Sequence, residues 1–237
     1  MNSLTIKKIA NSHRVRCLAL SASVLLTGCA TMQGQSDNNL RCEGAVEYKL
    51  TFVSTWSAET HPESFPTEPH YSKLVGATHQ FYGQVWSPGQ LASTGIKGIA
   101  EQGLNVQFRK EIDWAIKINE AGSYIDGPDM KLSPGQVDTR FTVTPDFPLV
   151  SVLSMIAPSP DWVVGVSGLS MCENATWVLE KTLTLQAYDV GTDAGETYLA
   201  TNQPEAEKQV VQYLQSDMYS ENGQVPAFGE LRFELVR

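Results

Sequence analysis

Two apolar runs of this chain each end in a turn that carries carboxylates. Asp161 follows the Pro158-Ser159-Pro160 turn, and Asp189 and Asp193 lie in the run Asp-Val-Gly-Thr-Asp-Ala-Gly. Turns that fix carboxylates at the rim of a rigid sheet are a way to build an oxygen-ligand site for a hard cation. Calcium takes roughly six or more oxygens, so backbone carbonyls near Val190 or Thr192 would complete the shell, with Asp193 acting directly or through water. No Cys or His stands beside these aspartates, which favours calcium over a transition metal. Aspartates of this kind also cap turns through backbone amides, and residue chemistry alone leaves both uses open.

Other candidates are weaker. His61, His70 and His79 are spaced by nine residues, which does not stack them on one short helix; His79 suits a buried hydrogen bond better than a zinc site. Trp56, Trp86 and Trp162 stand at strand or loop ends and suit core packing. There is no Gly-x-Ser-x-Gly elbow, no His-Glu-x-x-His helix and no phosphate-binding glycine loop. Glu101 and Glu111 have no nucleophile to serve, and Ser93, Ser159 and Ser167 are turn serines. The expectation is a chain with no catalytic residues.

Strands must position the aspartates. Val46, Tyr48, Leu50 and Phe52 alternate with Glu47, Lys49 and Thr51, the period of a half-buried strand. Val137, Thr139, Phe141 and Val143 repeat the pattern. Leu149–Ile156 is apolar on both faces, as a central strand would be. Val163–Val166 is short, with Gly165 marking a close approach or a bulge. Leu179, Leu183, Leu185 and Ala187 predict one strand leading into the Asp189 loop, and Phe228, Leu231, Phe233 and Leu235 predict the last. Tyr71, Leu74, Val75, Thr78 and Tyr82 recur at helical spacing, as do Leu104, Phe108, Ile112 and Ala115 or Ile116. These predict two short helices decorating an antiparallel sandwich. Residues 200–223 read as irregular.

The first residues read as a leader. Lys7, Lys8, Arg14 and Arg16 precede the apolar run Cys17–Leu26, which falls short of the roughly 20 residues a membrane span requires. Leu26-Thr27-Gly28-Cys29 then resembles a bacterial lipoprotein cleavage site with Cys29 as the lipidated residue. The expectation is a signal peptide over 1–28, a flexible tether over 29–41 and one domain over 42–237. That architecture places the protein in a bacterial cell envelope, lipid-anchored through Cys29 and facing the outer membrane where the cell has two. Losing the four basic residues of the leader takes the formal charge from -9 to -13, a surface that repels nucleic acid phosphates. Cys42 and Cys172 remain, either as a disulfide suited to an oxidising compartment or as two buried thiols.

Ordered motifs then give a family resemblance. They are Tyr48-x-Leu-Thr-Phe52 with Thr55-Trp56-Ser57, His61-Pro62 and Phe65-Pro66, Leu74-Val75-Gly76-Ala77-Thr78-His79, and Ala100-Glu101-x-Gly103. Most specific are Pro158-Ser159-Pro160-Asp161-Trp162-Val163-Val164-Gly165-Val166 and Tyr188-Asp189-x-Gly191-Thr192-Asp193-x-Gly195. The chain resembles the spondin domain of extracellular matrix proteins, a domain also found in bacterial secreted proteins. The resemblance implies a C2-like all-β sandwich with a calcium-type cation held by Asp161, Asp189 and Asp193. It also implies adhesion through surface binding and no catalysis. Ser167 departs from the family, which tends to have aspartate after Gly-Val. The expected function is a calcium-binding, adhesion-like lipoprotein that engages a protein or glycan surface. The alternatives are a structural envelope protein with a stabilising metal, or a hydrolase of unrecognised type.

Overall fold

The structure, a computed structural model, describes residues 41–215 and 225–236. Among these the elements run β1 (Val46–Ser54), β2 (His70–His79), α1 (Thr94–Gln102), α2 (Val106–Lys117), β3 (Ala121–Met130), β4 (Gly135–Val143), β5 (Leu149–Ala157) and β6 (Trp162–Ser170). There follow β7 (Cys172–Glu173), β8 (Thr176–Trp177), β9 (Glu180–Leu185), β10 (Ala187–Asp189), β11 (Gln212–Tyr213) and β12 (Gly229–Leu235). One four-stranded sheet has the order β4-β1-β12-β9 and one six-stranded sheet the order β11-β10-β6-β5-β2-β3, while β7 and β8 form a small ribbon. Every pairing is antiparallel. The expected antiparallel sheets with short helices are present.

Alternation in β1 sends Tyr48, Leu50 and Phe52 inward, where Leu50 lies opposite Phe233 on one side and Thr139 on the other. Their core includes Tyr71 and Leu74 of β2 and Val150, Val152 and Ile156 of β5, and Phe52 meets Tyr71 edge-on at 4.8 Å. A second core covers the other face of the six-stranded sheet, where α1 and α2 set Ile96, Ile99, Phe108 and Ile112 against Val75, Leu153 and Val163.

That second core corrects the helix expected from Tyr71 to Tyr82. The segment is strand β2, and its apolar residues serve two cores, Tyr71 and Leu74 one and Val75 and Ala77 the other. Burial on both faces erases the period of two, and bulges between Tyr71 and Val75 shift what remains toward helical spacing. The second predicted helix is α2, whereas α1 was not foreseen. β3 was also missed, because Gly127 and Pro128 look like a break. Pro128 is tolerated since β3 is the edge of its sheet.

The run from Leu179 to Ala187 is two strands. β9 pairs with β12 in the small sheet, and β10 pairs with β6 in the large one. This change of sheet delivers Asp189 to the start of β6. Gly165 permits the close approach of β5: a Cβ there would lie 2.3 Å from the Val152 carbonyl oxygen. Cys42 and Cys172 form a disulfide across 130 residues of sequence, which settles the choice against two thiols. Closing so long a loop removes about 5 kcal/mol of freedom from the unfolded chain in the entropy description.

Candidate functional site

β6 and β10 place the aspartates together. Asp189 lies opposite Trp162 in the register, beside Asp161 at the entrance to β6. Ser159 Oγ accepts the Trp162 amide at 3.1 Å and shapes that entrance. Val190 N–H donates to the Asp161 carbonyl at 3.3 Å, carrying the chain across to Gly191. Gly191 has φ 73° and packs where a Cβ would lie 2.5 Å from the Gln209 carbonyl oxygen, so the turn requires glycine.

Each carboxylate is then used by the loop itself. Asp161 is fully buried, and its Oδ2 accepts Thr192 N–H at 2.6 Å, Asp193 N–H at 3.0 Å and the Thr192 hydroxyl at 3.2 Å. Asp189 Oδ1 accepts Gly191 N–H at 2.7 Å. Asp193 Oδ1 takes Gly195 N–H at 2.8 Å and Oδ2 takes Gln203 N–H at 2.9 Å. Residues 203–209 strap the loop down through Gln203 O, Glu205 N and Gln209 N. Asp161 Oδ1, also buried, has no hydrogen-bond partner among the described residues. Burial first, and then the neighbouring Asp189 charge, push the Asp161 carboxyl up to about 6. Asp189 is also raised, chiefly by burial, with Glu205 and Asp193 adding repulsion.

The sequence placed these three aspartates correctly in space, and their chemistry needs correction. Among the described residues no three His, Cys, Asp or Glu side chains are arranged to hold a metal ion. That arrangement does not support the calcium-binding role that the resemblance implied. The aspartates are turn caps.

The histidines do not converge either. His79, on β2 rather than a helix, does make the expected buried hydrogen bonds: Nε2 to Ser151 Oγ at 2.8 Å and Nδ1 to the Phe81 carbonyl at 2.9 Å. His61 is buried against Phe228 and lies 3.2 Å from the Pro226 carbonyl. Burial lowers both imidazoles. Glu101 pairs with Lys97 at 2.5 Å, and Glu111 caps α1. Trp56, Trp86 and Trp162 are all buried.

What the sequence missed lies beside the aspartate loop. Tyr188 stacks on Tyr213 at 4.8 Å and meets Trp86 edge-on at 5.2 Å. Leu91 bridges to Val210, and Gln90 and Gly89 bond both ways with Val211 at 2.8 Å. Tyr82, Leu91, Val210 and Tyr213 stay exposed, Leu91 at 59% and Tyr213 at 53%. No periodic pattern marks this rim, because it is assembled from a loop, a bridge and a two-residue edge strand.

Residues 46–228 match the family model described as Spondin_N. Chicken Spondin-1 is 33% identical over 179 residues, covering 73% of this chain and 22% of that protein. Human Spondin-2 is 31% identical over 189 residues, covering 78% of this chain and 57% of that protein. Rat Spondin-2 is 33% identical over 159 residues, covering 65% of the chain and 48% of that protein. The chain therefore spans about a fifth of the Spondin-1 relatives and about half of the Spondin-2 relatives.

These vertebrate matches overturn the reading as a bacterial envelope or outer-membrane lipoprotein, and they support a spondin-domain protein like Spondin-1 and Spondin-2. The membrane anchor goes with it: the cysteines among the described residues are joined as Cys42–Cys172. Cys29 and the leader over 1–28 lie outside the described residues.

Proposed function

The chain belongs to the Spondin_N family, and from that premise we propose that it is an adhesion-like binding module of the extracellular matrix kind. It is not an enzyme, as membership of this family implies. The exposed residues Leu91 and Val210, bridged to each other, together with Tyr82 and Tyr213 carry the proposal, since exposed large apolar residues grouped on one rim mark a place for a partner. Aromatic residues held rigid by stacking, as Tyr213 is on Tyr188, bury area on binding with little loss of freedom. In finer detail, we read the two large sheets as the layers of a C2-like sandwich, supported by the shared core between β1, β2 and β5. We also read 42–237 as one domain, preceded by a leader over 1–28 and a tether over 29–41.

Surface plasmon resonance of the full chain over basement-membrane extract, with albumin as reference, tests the binding role. Binding should be selective for the extract and weaken about tenfold in Leu91→Ser/Tyr213→Ser with unchanged thermal unfolding. Equal binding to albumin, or an unaffected double variant, would sink it. A purely structural role for the Asp161 loop is favoured by its inward-turned carboxylates, and the rim does not depend on it.

A further inference from the structure

The two helices begin differently. At α1, Ser93 Oγ accepts Ile96 N–H at 3.1 Å and donates to Glu111 Oε2 at 2.6 Å, while Glu111 Oε1 accepts Gly95 N–H at 2.8 Å. The positive end of α1 thus has a neutralising carboxylate. At α2 the N-cap residue Asn105 makes no capping bond; its amide donates to Tyr124 Oη at 3.3 Å, and the first turn holds no acidic residue. The first-turn N–H groups of α2 are left without a side-chain acceptor from the cap.

An open surface depression of about 390 Å³ lies beside this turn, lined by Asn105 at the cap, by Val106, Arg109 and Lys110 of α2 and by Lys73, Tyr124 and Asp126 of the sheet. Arg109 is held by two contacts. Its Cζ lies 4.4 Å from the Tyr124 ring centre, and its Nε donates to Asp113 Oδ1 at 2.8 Å. Both Nη groups are left without a partner among the described residues. Lys110 has no carboxylate partner among them, and Lys73 is held at 2.7 Å by Asp126, the one acid in the lining. Three cations, Arg109 paired with Asp113, Lys73 paired with Asp126 and Lys110 with no carboxylate partner among the described residues, and the positive end of a helix therefore line one opening in a chain of net charge -9.

We propose that this depression binds an oxyanion carried on a small ester, a sulfate or phosphate monoester. Arg109 presents two parallel N–H donors in the fork that matches such a group. Lys110 and Lys73 supply flanking charge, and the first turn of α2 supplies backbone donors and a favourable dipole. Asp126 positions Lys73 and is neutralised by it. The Tyr124 ring and Val106 give an apolar wall for the carbon side of the ester, so esters should bind more tightly than the bare ions. The site shares no residue with the Tyr213 rim and does not rest on the adhesion proposal.

The test is a titration of the full chain, followed by amide NMR and calorimetry, with inorganic sulfate, inorganic phosphate, glucosamine 6-sulfate and glucose 6-phosphate. Amides of residues 105–110 should shift, the two esters should bind more tightly than the two ions, and raised salt should weaken all four. Whichever ester binds more tightly identifies the source of the oxyanion. Arg109→Gln should weaken binding about tenfold and Arg109→Lys nearly as much, since the fork is lost in both. Lys208→Gln and Leu91→Ser/Tyr213→Ser should leave binding unchanged. Absence of shifts at 105–110 at tens of millimolar ester, or equal shifts in Arg109→Gln, would overturn the proposal.

Discussion

The aspartate loop and the start of α2 are two concentrations of charge with opposite fates. At Asp161, Asp189 and Asp193 the carboxylates turn inward and are taken up by backbone amides of Gly191, Thr192, Asp193, Gly195 and Gln203. At α2 the cations stand at an open depression with donors to spare. The conspicuous acidic motif caps its own loop, whereas the inconspicuous basic cluster borders a depression open to solvent. Conspicuous spacing is a poor guide to which charge is available, because availability depends on what the backbone has already claimed.

The largest expected break in this contrast is Asp161→Ala. It leaves the amides of Thr192 and Asp193 buried without their acceptor, and should cost about 3 kcal/mol in denaturant unfolding. Asp161→Asn keeps an oxygen for those donors and removes the repulsion with Asp189, so it should stay within about 1 kcal/mol of the parent. An Asn variant as damaged as the Ala variant would mean that the charge itself is required, and the capping account would fall.

Acid should sharpen the contrast by a smaller amount. The Asp161 carboxyl is raised to about 6 in the folded chain against an unfolded value of about 3.9, so between those pH values the native state binds more protons. Stability should therefore rise as pH falls from above 6 toward 3.9, by about 3 kcal/mol in all from this group and by roughly 1 kcal/mol or less between pH 7.5 and 5.5, with raised Asp189 acting in the same direction. His61 and His79 act oppositely: burial holds them neutral, and stability is lost as pH falls below about 6.5. Melting curves at pH 7.5 and 5.5, compared between parent and Asp161→Asn, cancel the histidine contribution. If the parent gains no more than the variant, the buried carboxyl is not strained.

The helix starts give the smallest effects. Ser93→Ala should cost about 1 kcal/mol because it removes a cap and leaves Glu111 with one fewer donor. Asn105→Ala should change stability by only a few tenths of a kcal/mol, roughly, since Asn105 caps nothing. Asn105→Asp should stabilise α2 by about 0.5 kcal/mol while weakening ester binding, because it places a negative charge where the ligand's own charge should sit. Tighter binding in that variant would contradict the assignment of the depression.

Much of the fold was legible. β1, β4 and β12 each have one buried face and one wet face, and that asymmetry writes itself into the sequence as alternation. β2 was misread because it feeds two cores at once, and β10 because nothing between Leu185 and Ala187 marks a change of sheet. Asp161, Asp189 and Asp193 were correctly grouped, since turn chemistry and family motif agree on them. Whether their oxygens face a ligand or their own amides was not legible, because Gln203 and its strap lie outside the motif. The Arg109 depression was invisible in sequence: Lys73 and Tyr124 join it only through the pairing of β2 with β3.

The sequence by itself determined the antiparallel strands, the Spondin_N family and the pairing of Cys42 with Cys172 as one of two outcomes. Those features rest on local periodicity, ordered motifs and residue count, which survive in one dimension. Tertiary structure alone decided the sheet exchange between β9 and β10, the inward turn of the aspartates and the convergence of cations at α2. Each of these depends on which backbone donors distant segments leave unsatisfied, a quantity that exists only once the chain has folded.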